Sequence, residues 1–346
     1  MNDSQDTINE YKAVENLYHR YLTGLILRTV VTRGSADAAE LVFRLFRRQQ
    51  QEKLLPGIDK LGLSDLPDAV KCAQYHYLSN YLGDVNVQYM YESDRKAWVR
   101  YPPPRWIWDG TAVCAIPTEV SRAMMRGWHS HNGVSLNNPR LRFVCTKQTV
   151  DGQPGLEGYF EETDRDLGAD ERLRFAPGEE CPDFDPEAAP KLDSASWPEE
   201  RVRKALRNYA MEYVRNVLPE MVALFGPGES ANLGWFTGKL IGMQYYAEIA
   251  DLLGIRASSP EAFADMVTRL GRGQGDDTSW TNADGAVTIR QSGWRLMRGI
   301  GGLHPSAFDA WNGLNEGLLA SHNRRLRLQL TERVDGGSEY NEWIVK

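Results

Sequence analysis

The sequence predicts an α+β fold in two tandem repeats, and three observations support this prediction. Apolar and polar residues alternate along Asn138–Glu162 on both sides of Asp151-Gly152, a pattern typical of a β-hairpin. The stretch Asn323–Trp343 repeats the pattern around Asp335-Gly336. A helix-like stretch precedes each hairpin, namely Pro117–Gly133 in the first half and Pro305–His322 in the second.

These observations divide the 346-residue chain into three parts. Residues 1–163 form the first predicted repeat, and residues 200–346 form the second. The intervening residues 164–199 are rich in proline and acidic residues and poor in large apolar ones. Such a composition predicts a long linker that is partly ordered at best. A repeat period of this length indicates two globular units, because solenoid repeats are much shorter.

The first repeat begins with three predicted helices. Thr7–Arg33 has an apolar stripe at helical spacing and is broken by Gly34-Ser35. A second helix follows and ends or kinks at Pro56-Gly57, and a third runs from Pro67 to Leu82. The alternating residues from Val85 to Tyr101 then predict another hairpin.

The second repeat follows the same predicted order. Trp197-Pro198 opens a helix that Gly226-Pro227-Gly228 ends. The next helix covers Ser230–Leu253, and a third begins at Pro260. A strand pair is expected around Ala286–Gln291, before the last helix and hairpin.

Composition and charge restrict the function classes. The chain carries 47 acidic and 40 basic residues, for a net charge of −7, which argues against nucleic-acid binding and against an anionic membrane surface. The first ten residues are polar and unlike a secretory leader, and the run Leu22–Val31 is too short to span a bilayer. The four cysteines show no CxxC spacing. We therefore expect free thiols and a cytoplasmic location.

Two groups of residues are candidates for acid–base chemistry. His304 precedes the last predicted helix, and Asp309 and Glu316 lie on it. The two carboxylates are seven residues apart and share one helix face. His129 and His131 lie near the end of the corresponding helix in the first half. For both groups a solvated helix side or a helix cap is the alternative. No metal-ligand spacing such as HExxH is present, so no metal site is predicted.

Aromatic residues are candidates for substrate binding. They lie in the predicted α+β portions and would line a pocket for a planar organic molecule, with core packing as the alternative. The aromatic candidates are Trp294 and Trp311 in the second half and Trp106, Trp108 and Trp128 in the first, and the polar Asn315 on the last predicted helix is a further binding candidate.

Several short motifs carry a family resemblance that covers most of each half. They are Val287–Trp294 (VTIRQSGW), Asn323–Leu326 (NRRL) and Thr331–Gly336 (TERVDG), with Asn138–Leu141 (NPRL) and Thr146–Gly152 (TKQTVDG) in the first copy. With the order of elements, they resemble the L-2-amino-thiazoline-4-carboxylic acid hydrolase-like family, itself similar to the ligand-binding domains named after 4-vinyl reductase. Ser292 and Ser338 stand where members of that family carry cysteines.

The resemblance implies a hydrolase-like enzyme that acts on a small cyclic or aromatic compound by His/carboxylate chemistry. The first alternative is a non-catalytic sensor or carrier similar to the 4-vinyl reductase domains, which the missing cysteines favour. The second is a haem protein with His129, His131 or His304 as axial ligand. The sequence identifies no cofactor, and two packed repeats are compatible with a homodimer.

Overall fold

The computed structural model describes residues 3–103, 110–283 and 285–346 and confirms the α+β class. Contacts divide the chain into two compact units. We call Thr29–Val202 the inserted unit, and we call Met1–Arg28 together with Arg203–Lys346 the terminal unit. The boundaries fall inside the first and sixth helices. The predicted boundaries instead place the whole first helix with residues 34–163.

The inserted unit has a sheet backed by helices. Its first helix segment is the end of α1 (Asp3–Arg33). The complete helices are α2 (Ser35–Lys60), α3 (Asp68–Tyr81), α4 (Thr118–Gly127) and the short α5 (Asn132–Ser135). The strands are β1 (Gln88–Ser93), β2 (Lys96–Tyr101), β3 (Leu141–Lys147), β4 (Leu156–Glu162) and β5 (Leu173–Phe175).

The sheet of this unit has the strand order β1-β2-β4-β3-β5. Strands β3 and β4 pair antiparallel, with Phe143 opposite Phe160, which confirms the predicted hairpin. Strand β5 adds to the outer edge of β3 in parallel. Because β5 lies within residues 164–199, this segment has more structure than the predicted linker. Its Ala176 and Phe184 also pack in the apolar cluster around Trp98.

The terminal unit combines Asp3–Arg28 of α1 with the C-terminal half of the chain. Its other helices are α6 (Glu199–Phe225, from Arg203 onward), α7 (Pro227–Leu252), α8 (Pro260–Gln274) and α9 (Ser306–His322). Its strands are β6 (Asp277–Ala283), β7 (Ala286–Ser292), β8 (Leu328–Glu332) and β9 (Tyr340–Val345). The sheet order is β6-β7-β9-β8, with antiparallel pairs throughout. The predicted C-terminal hairpin is therefore confirmed as β8 and β9.

Two helix boundaries can be compared with the sequence-based expectation. Of the two alternatives for Pro56-Gly57, an end is excluded, because Pro56 lies inside α2, which continues to Lys60. The predicted helix Pro117–Gly133 leaves regular α geometry after Gly127, and a 3₁₀ turn at His129–His131 separates α4 from α5. In the other unit, α9 continues without interruption to His322.

Aromatic side chains fill the core of the terminal unit. Trp343 and Phe308 are almost wholly inaccessible, and their rings stack with centroids 6.3 Å apart. The Tyr21 hydroxyl donates a hydrogen bond to the carbonyl of Ala310 over 3.1 Å, which ties α1 to α9. No helix in the part of the chain that the structure describes is both long and apolar enough to cross a membrane.

Candidate functional site

The predicted acid–base residues of the second half are not joined to one another. His304 is exposed, and its Nδ1 accepts a hydrogen bond from the backbone N–H of Ser306 over 3.1 Å. This contact satisfies one of the free N–H groups at the start of α9. Asp309 accepts a hydrogen bond from Arg333 over 2.7 Å. Glu316 accepts one from Asn312 over 3.4 Å. Among the described residues, no hydrogen bond links His304 to either carboxylate.

Arg333 is the partner of Asp309 and belongs to a larger ion-pair cluster. Its guanidinium also donates to both carboxylate oxygens of Asp335 and lies 4.5 Å from the ring centre of Phe308. The Asp335 hydrogen bond raises the pKa of Arg333, and Asp309 adds to this effect. Asp309 is therefore part of an ion-pair cluster that fixes the turn after β8 to the start of α9.

The predicted binding residues Trp311 and Asn315 do lie together. Both line a small cavity enclosed by α1, α8, α9 and β7 of the terminal unit. Trp294, the third predicted residue, is buried and packs with its ring centre 5.3 Å from that of Trp311. Its indole N–H has no partner in the described parts of the chain.

The cavity also has three polar lining residues that the sequence did not indicate: Tyr18, Gln274 and Gln291. The Tyr18 hydroxyl accepts a hydrogen bond from the Trp311 indole N–H over 2.8 Å and donates one to Gln274 Oε1 over 2.8 Å. Burial raises the pKa of Tyr18 well above its usual value, so the hydroxyl stays protonated. The enclosed space is about 20 Å³, which holds about one water molecule.

The three amide side chains at the cavity each keep one end without a partner. Gln274 uses Oε1 for Tyr18. Gln291 uses Nε2 for Asp276 over 2.8 Å. Asn315 uses Nδ2 for a long contact of 3.4 Å with Asn312. The nitrogen of Gln274 and the side-chain oxygens of Gln291 and Asn315 form no hydrogen bond with any described residue.

A buried carboxylate lies behind this layer. Asp276 accepts hydrogen bonds from Gln291 and from the backbone N–H of Arg295 over 2.7 Å. Burial raises its pKa, and the two hydrogen bonds partly oppose this effect. Asp276 does not line the cavity, and no residue that does is charged.

The predicted histidines of the first half lie in the inserted unit. His129 is buried and stacks on His76, with ring centres 4.3 Å apart and planes 16° apart. His131 is half-buried, and its Nδ1–H donates to the Arg126 carbonyl over 2.9 Å. Burial and then the charge of Arg47 lower its pKa. The two side chains therefore occupy separate environments.

His76 belongs to a buried polar group that the sequence reasoning missed. Its Nε2 lies 3.2 Å from Asn132 Nδ2 and accepts from it, while its Nδ1 lies 3.4 Å from the Tyr101 hydroxyl. Cys72, one helical turn before His76, is also fully buried. Burial lowers the pKa of His76 to about 3, so the imidazole is neutral. Cys72 and His76 are four residues apart on α3, and this spacing was the signal in the sequence that could have indicated the group.

The other aromatic candidates of the first half are Trp128, Trp106 and Trp108. Trp128 stacks on Tyr75, with ring centres 6.3 Å apart. Its indole N–H has no partner within the described ranges. Trp106 and Trp108 lie outside the described residues.

A second buried carboxylate, Glu157, has a complete set of donors. Thr146 donates over 2.8 Å, Lys147 over 3.1 Å and Cys181 over 3.0 Å. Its side chain is wholly inaccessible. Burial acts to raise its pKa, but the three hydrogen bonds outweigh this effect and lower it. Burial, followed by the contact with Glu157, raises the pKa of Cys181 to about 11.

Within residues 3–103, 110–283 and 285–346, no group of three or more His, Cys, Asp or Glu side chains is placed to hold a metal ion. The four cysteines are free thiols. Compared with protein-family models, with curated proteins and with solved structures, the chain matches none of them.

Proposed function

We propose that this protein binds a small, uncharged organic molecule, and that the cavity of the terminal unit receives the polar group of this ligand. One observation carries the proposal: three amide side chains, of Gln274, Gln291 and Asn315, present unused hydrogen-bonding ends to one cavity. A buried polar group without a partner costs free energy. A ligand that supplies both a donor and an acceptor would remove this cost.

The lining selects for neutral and planar ligands. Tyr18 stays protonated, and the Asp276 carboxylate already accepts hydrogen bonds from Gln291 and from the backbone N–H of Arg295. Transferring an ionised group into such a site would be unfavourable, because no opposite charge compensates its desolvation. The Trp311 indole forms part of the wall, and its flat apolar face suits the plane of an inserted amide group. The cavity holds about one water, so the ligand would insert one polar group in place of that water.

A charge series of similar shape tests this proposal. Benzamide, benzoate and benzylamine are titrated into the full-length protein while tryptophan fluorescence and the melting temperature are followed. We expect saturable quenching and stabilisation with benzamide and at least about tenfold weaker effects with the two ions. Asn315→Leu should abolish the benzamide effect. The control Gln244→Leu, on the exposed face of α7, should leave it unchanged. Equal responses to all three compounds, or no response, would exclude a neutral-ligand site.

Hydrolysis by His304 with Asp309 or Glu316 stays a prediction of the family resemblance. The described geometry gives it no specific support, because each of the three side chains has its own local partner. Turnover of a cyclic amide by the protein, lost in His304→Ala, would establish it.

We also infer that residues 1–163 and residues 200–346 are copies of one ancestral repeat. The shared strand orders β1-β2-β4-β3 and β6-β7-β9-β8 support this. Gly34 and Gly226 precede α2 and α7 with φ of 92° and 81°. Thr146 donates to Glu157, and Thr331 donates to Glu342, over 2.8 Å in both hairpins.

Duplication gives the cavity a counterpart in the inserted unit. Tyr101 pairs with the residue before Glu157, and Gln291 pairs with the residue before Glu342. His129 and Asn315 each lie two residues after a glycine, Gly127 or Gly313, that faces the backbone of the preceding long helix. The positions of Gln291 and Asn315 are thus taken by Tyr101 and His129. Both side chains are buried, and the cavity itself lies in the terminal unit, so we assign the binding role to that unit.

A further inference from the structure

The outer edge of β8 has unused backbone hydrogen-bonding groups. Arg327 and Lys346 exchange two backbone hydrogen bonds, of 2.7 and 3.0 Å. In an antiparallel ladder, hydrogen-bonded and non-hydrogen-bonded pairs alternate. The pairs Leu328–Val345 and Leu330–Trp343 are therefore not hydrogen-bonded. The N–H and C=O groups of Leu328 and Leu330 therefore point away from β9. Among the described residues, no strand pairs on that side.

The inserted unit shows what such an edge accepts. There β3 occupies the position that β8 has in the other sheet, and its edge carries β5 in parallel. The Phe143 N–H donates to the Arg172 carbonyl over 3.0 Å, and the Ala176 N–H donates to the Cys145 carbonyl over 2.9 Å. The added segment has apolar residues at alternate positions, Leu173 and Phe175.

The apolar side chains of β8 are incompletely covered. Leu328 and Leu330 are half-buried, whereas Phe143 and Cys145 on β3 are fully buried. The difference is expected where an edge strand lacks a neighbour whose side chains continue the apolar row. A strand added to β8 with alternating apolar residues would complete this row and remove its apolar surface from water.

A β-bulge does not prevent such addition. The register of β8 shifts between Leu330 and Glu332, and bulges often protect an edge against pairing. However, β3 has a register shift between Cys145 and Lys147 and still pairs with β5 over Phe143–Cys145.

The charge beside β8 defines the chemistry of the missing segment. Arg324, Arg325 and Arg327 are exposed, and none of them forms an ion pair with a described residue. A segment parallel to β8 would place its preceding residues beside these arginines. The residues before β5, the strand that pairs with β3, include Asp170 and Glu171. The segment that the equivalent edge of the inserted unit already binds is therefore acidic just before its strand.

We propose that β8 binds an extended segment of a partner protein by parallel strand addition. The segment carries acidic residues followed by two apolar residues at alternate positions. Backbone hydrogen bonds to Leu328 and Leu330 provide affinity, while the apolar row and the arginines provide specificity. This interaction is separate from the cavity, and its test does not depend on ligand binding there.

A fluorescent peptide with the sequence of residues 166–178, DLGADERLRFAPG, is a direct probe of this edge. Its binding to the full-length protein is followed by fluorescence polarisation. We expect saturable binding that weakens with added salt, because exposed charges contribute. Exchange of the peptide's Asp and Glu for Lys should weaken it, and so should exchange of Leu173 and Phe175 in the peptide for Ser.

Two protein variants locate the site. Leu328→Pro removes one outward N–H and leaves the β8–β9 hydrogen bonds in place, since proline is tolerated at a sheet edge. It should lower the affinity about tenfold through the lost hydrogen bond. If this variant fails to fold, the double variant Arg324→Glu/Arg325→Glu provides the same test without a backbone change. The matched control is Gln329→Ala, because the backbone of Gln329 points toward β9.

Three outcomes would overturn the proposal. The first is absence of peptide binding. The second is binding that Leu328→Pro and the Arg324/Arg325 variant leave unaltered, since the peptide would then bind elsewhere, for example by exchange with β5. The third is a dimer in sedimentation analysis that Leu328→Pro dissociates, because β8 would then pair with a second copy of this chain.

Discussion

At the scale of single residues, Glu157 shows how burial changes the contribution of one carboxylate. Its side chain is inaccessible, and Lys147 beside it is 12% exposed. Removing one partner of a buried ion pair leaves the other uncompensated. In the matched pair Glu342–Arg290, the arginine is 56% exposed, so water screens the interaction.

We therefore expect Glu157→Gln to destabilise the protein by about 3 kcal/mol and Glu342→Gln by at most about 1 kcal/mol. Urea unfolding at neutral pH measures both free energies. Equal costs for the two variants would show that the burial of Glu157 does not determine its contribution.

His76 makes stability depend on pH. Burial lowers its pKa to about 3, whereas an unfolded histidine titrates near 6.5. Between these values the unfolded state binds the proton and the folded state does not, so the free energy of unfolding rises with pH. Its stabilising effect is complete above about pH 6.5 and is lost progressively as the pH falls toward 3.

His76→Gln should remove up to about 1.4 kcal/mol per pH unit from the slope of unfolding free energy between pH 4 and 6. The amide can still receive the hydrogen bond of Asn132. Urea titrations at a series of pH values give this slope, and near-ultraviolet circular dichroism at pH 7.5 confirms that the variant is folded. An unchanged slope would contradict the assignment of a buried neutral imidazole.

Only part of the cavity could be predicted from the sequence. Trp311 was identified because tryptophans in the α+β portions could line a pocket for a planar molecule, and Asn315 because it is a polar residue of the last predicted helix. Tyr18 was not, because it sits at helical spacing in an apolar stripe and resembles any core residue. Its bond to Trp311 joins positions 293 residues apart, and no local pattern reports contacts of that range.

At the scale of elements, close backbone contact defines the packing of α7 on α9. A Cβ atom on Gly238 would lie 2.8 Å from the Leu314 nitrogen, and one on Gly317 would collide with the Lys239 carbonyl. The glycines of both helices therefore face the partner's backbone. Their spacing of four places them on one face of α7, as for Gly238 and Gly242.

Gly238→Ala should destabilise the terminal unit by about 1–3 kcal/mol, because overpacking displaces the helices. Gly228→Ala is the control, since no atom lies within 4 Å of its added Cβ, and it should be neutral or slightly stabilising. Thermal unfolding of both variants measures the difference. A neutral Gly238→Ala would show that α7 and α9 are not in backbone contact.

The elements with strong local signals were predictable, and the others were not. Asp-Gly turns between alternating residues identified both hairpins. Strand β5 has three residues, which is too short for a periodic pattern, and its proline-rich surroundings indicated a linker. Just after α4, His129 packs against aromatic rings of the sheet, and such contacts between distant positions cannot be read from the local sequence.

At the scale of the whole molecule, the N-terminal helix belongs to the unit formed by the C-terminal half. Three leucines of this helix are at most 3% exposed, namely Leu17, Leu22 and Leu25. Each contributes about 1.5–3 kcal/mol to stability by burial. Their sum is comparable with the total stability of a domain, about 5–15 kcal/mol.

Deleting residues 1–28 should therefore unfold the terminal unit and leave the inserted unit folded. Hydrogen exchange followed by mass spectrometry would show lost protection in α8 and α9 and retained protection in α3 and β2. Adding the peptide 1–28 in trans should restore protection. Loss of protection throughout the chain would mean that the two units unfold together.

This arrangement also orders events during synthesis. A ribosome adds roughly 5–20 residues per second, so α1 is complete roughly 15–60 s before the last strand, β9, leaves the tunnel. During that time residues 29–202 can fold, while the apolar stripe of α1 has no site to occupy. The first helix to be made is thus the last to dock, and the nascent chain has an exposed apolar surface until translation ends.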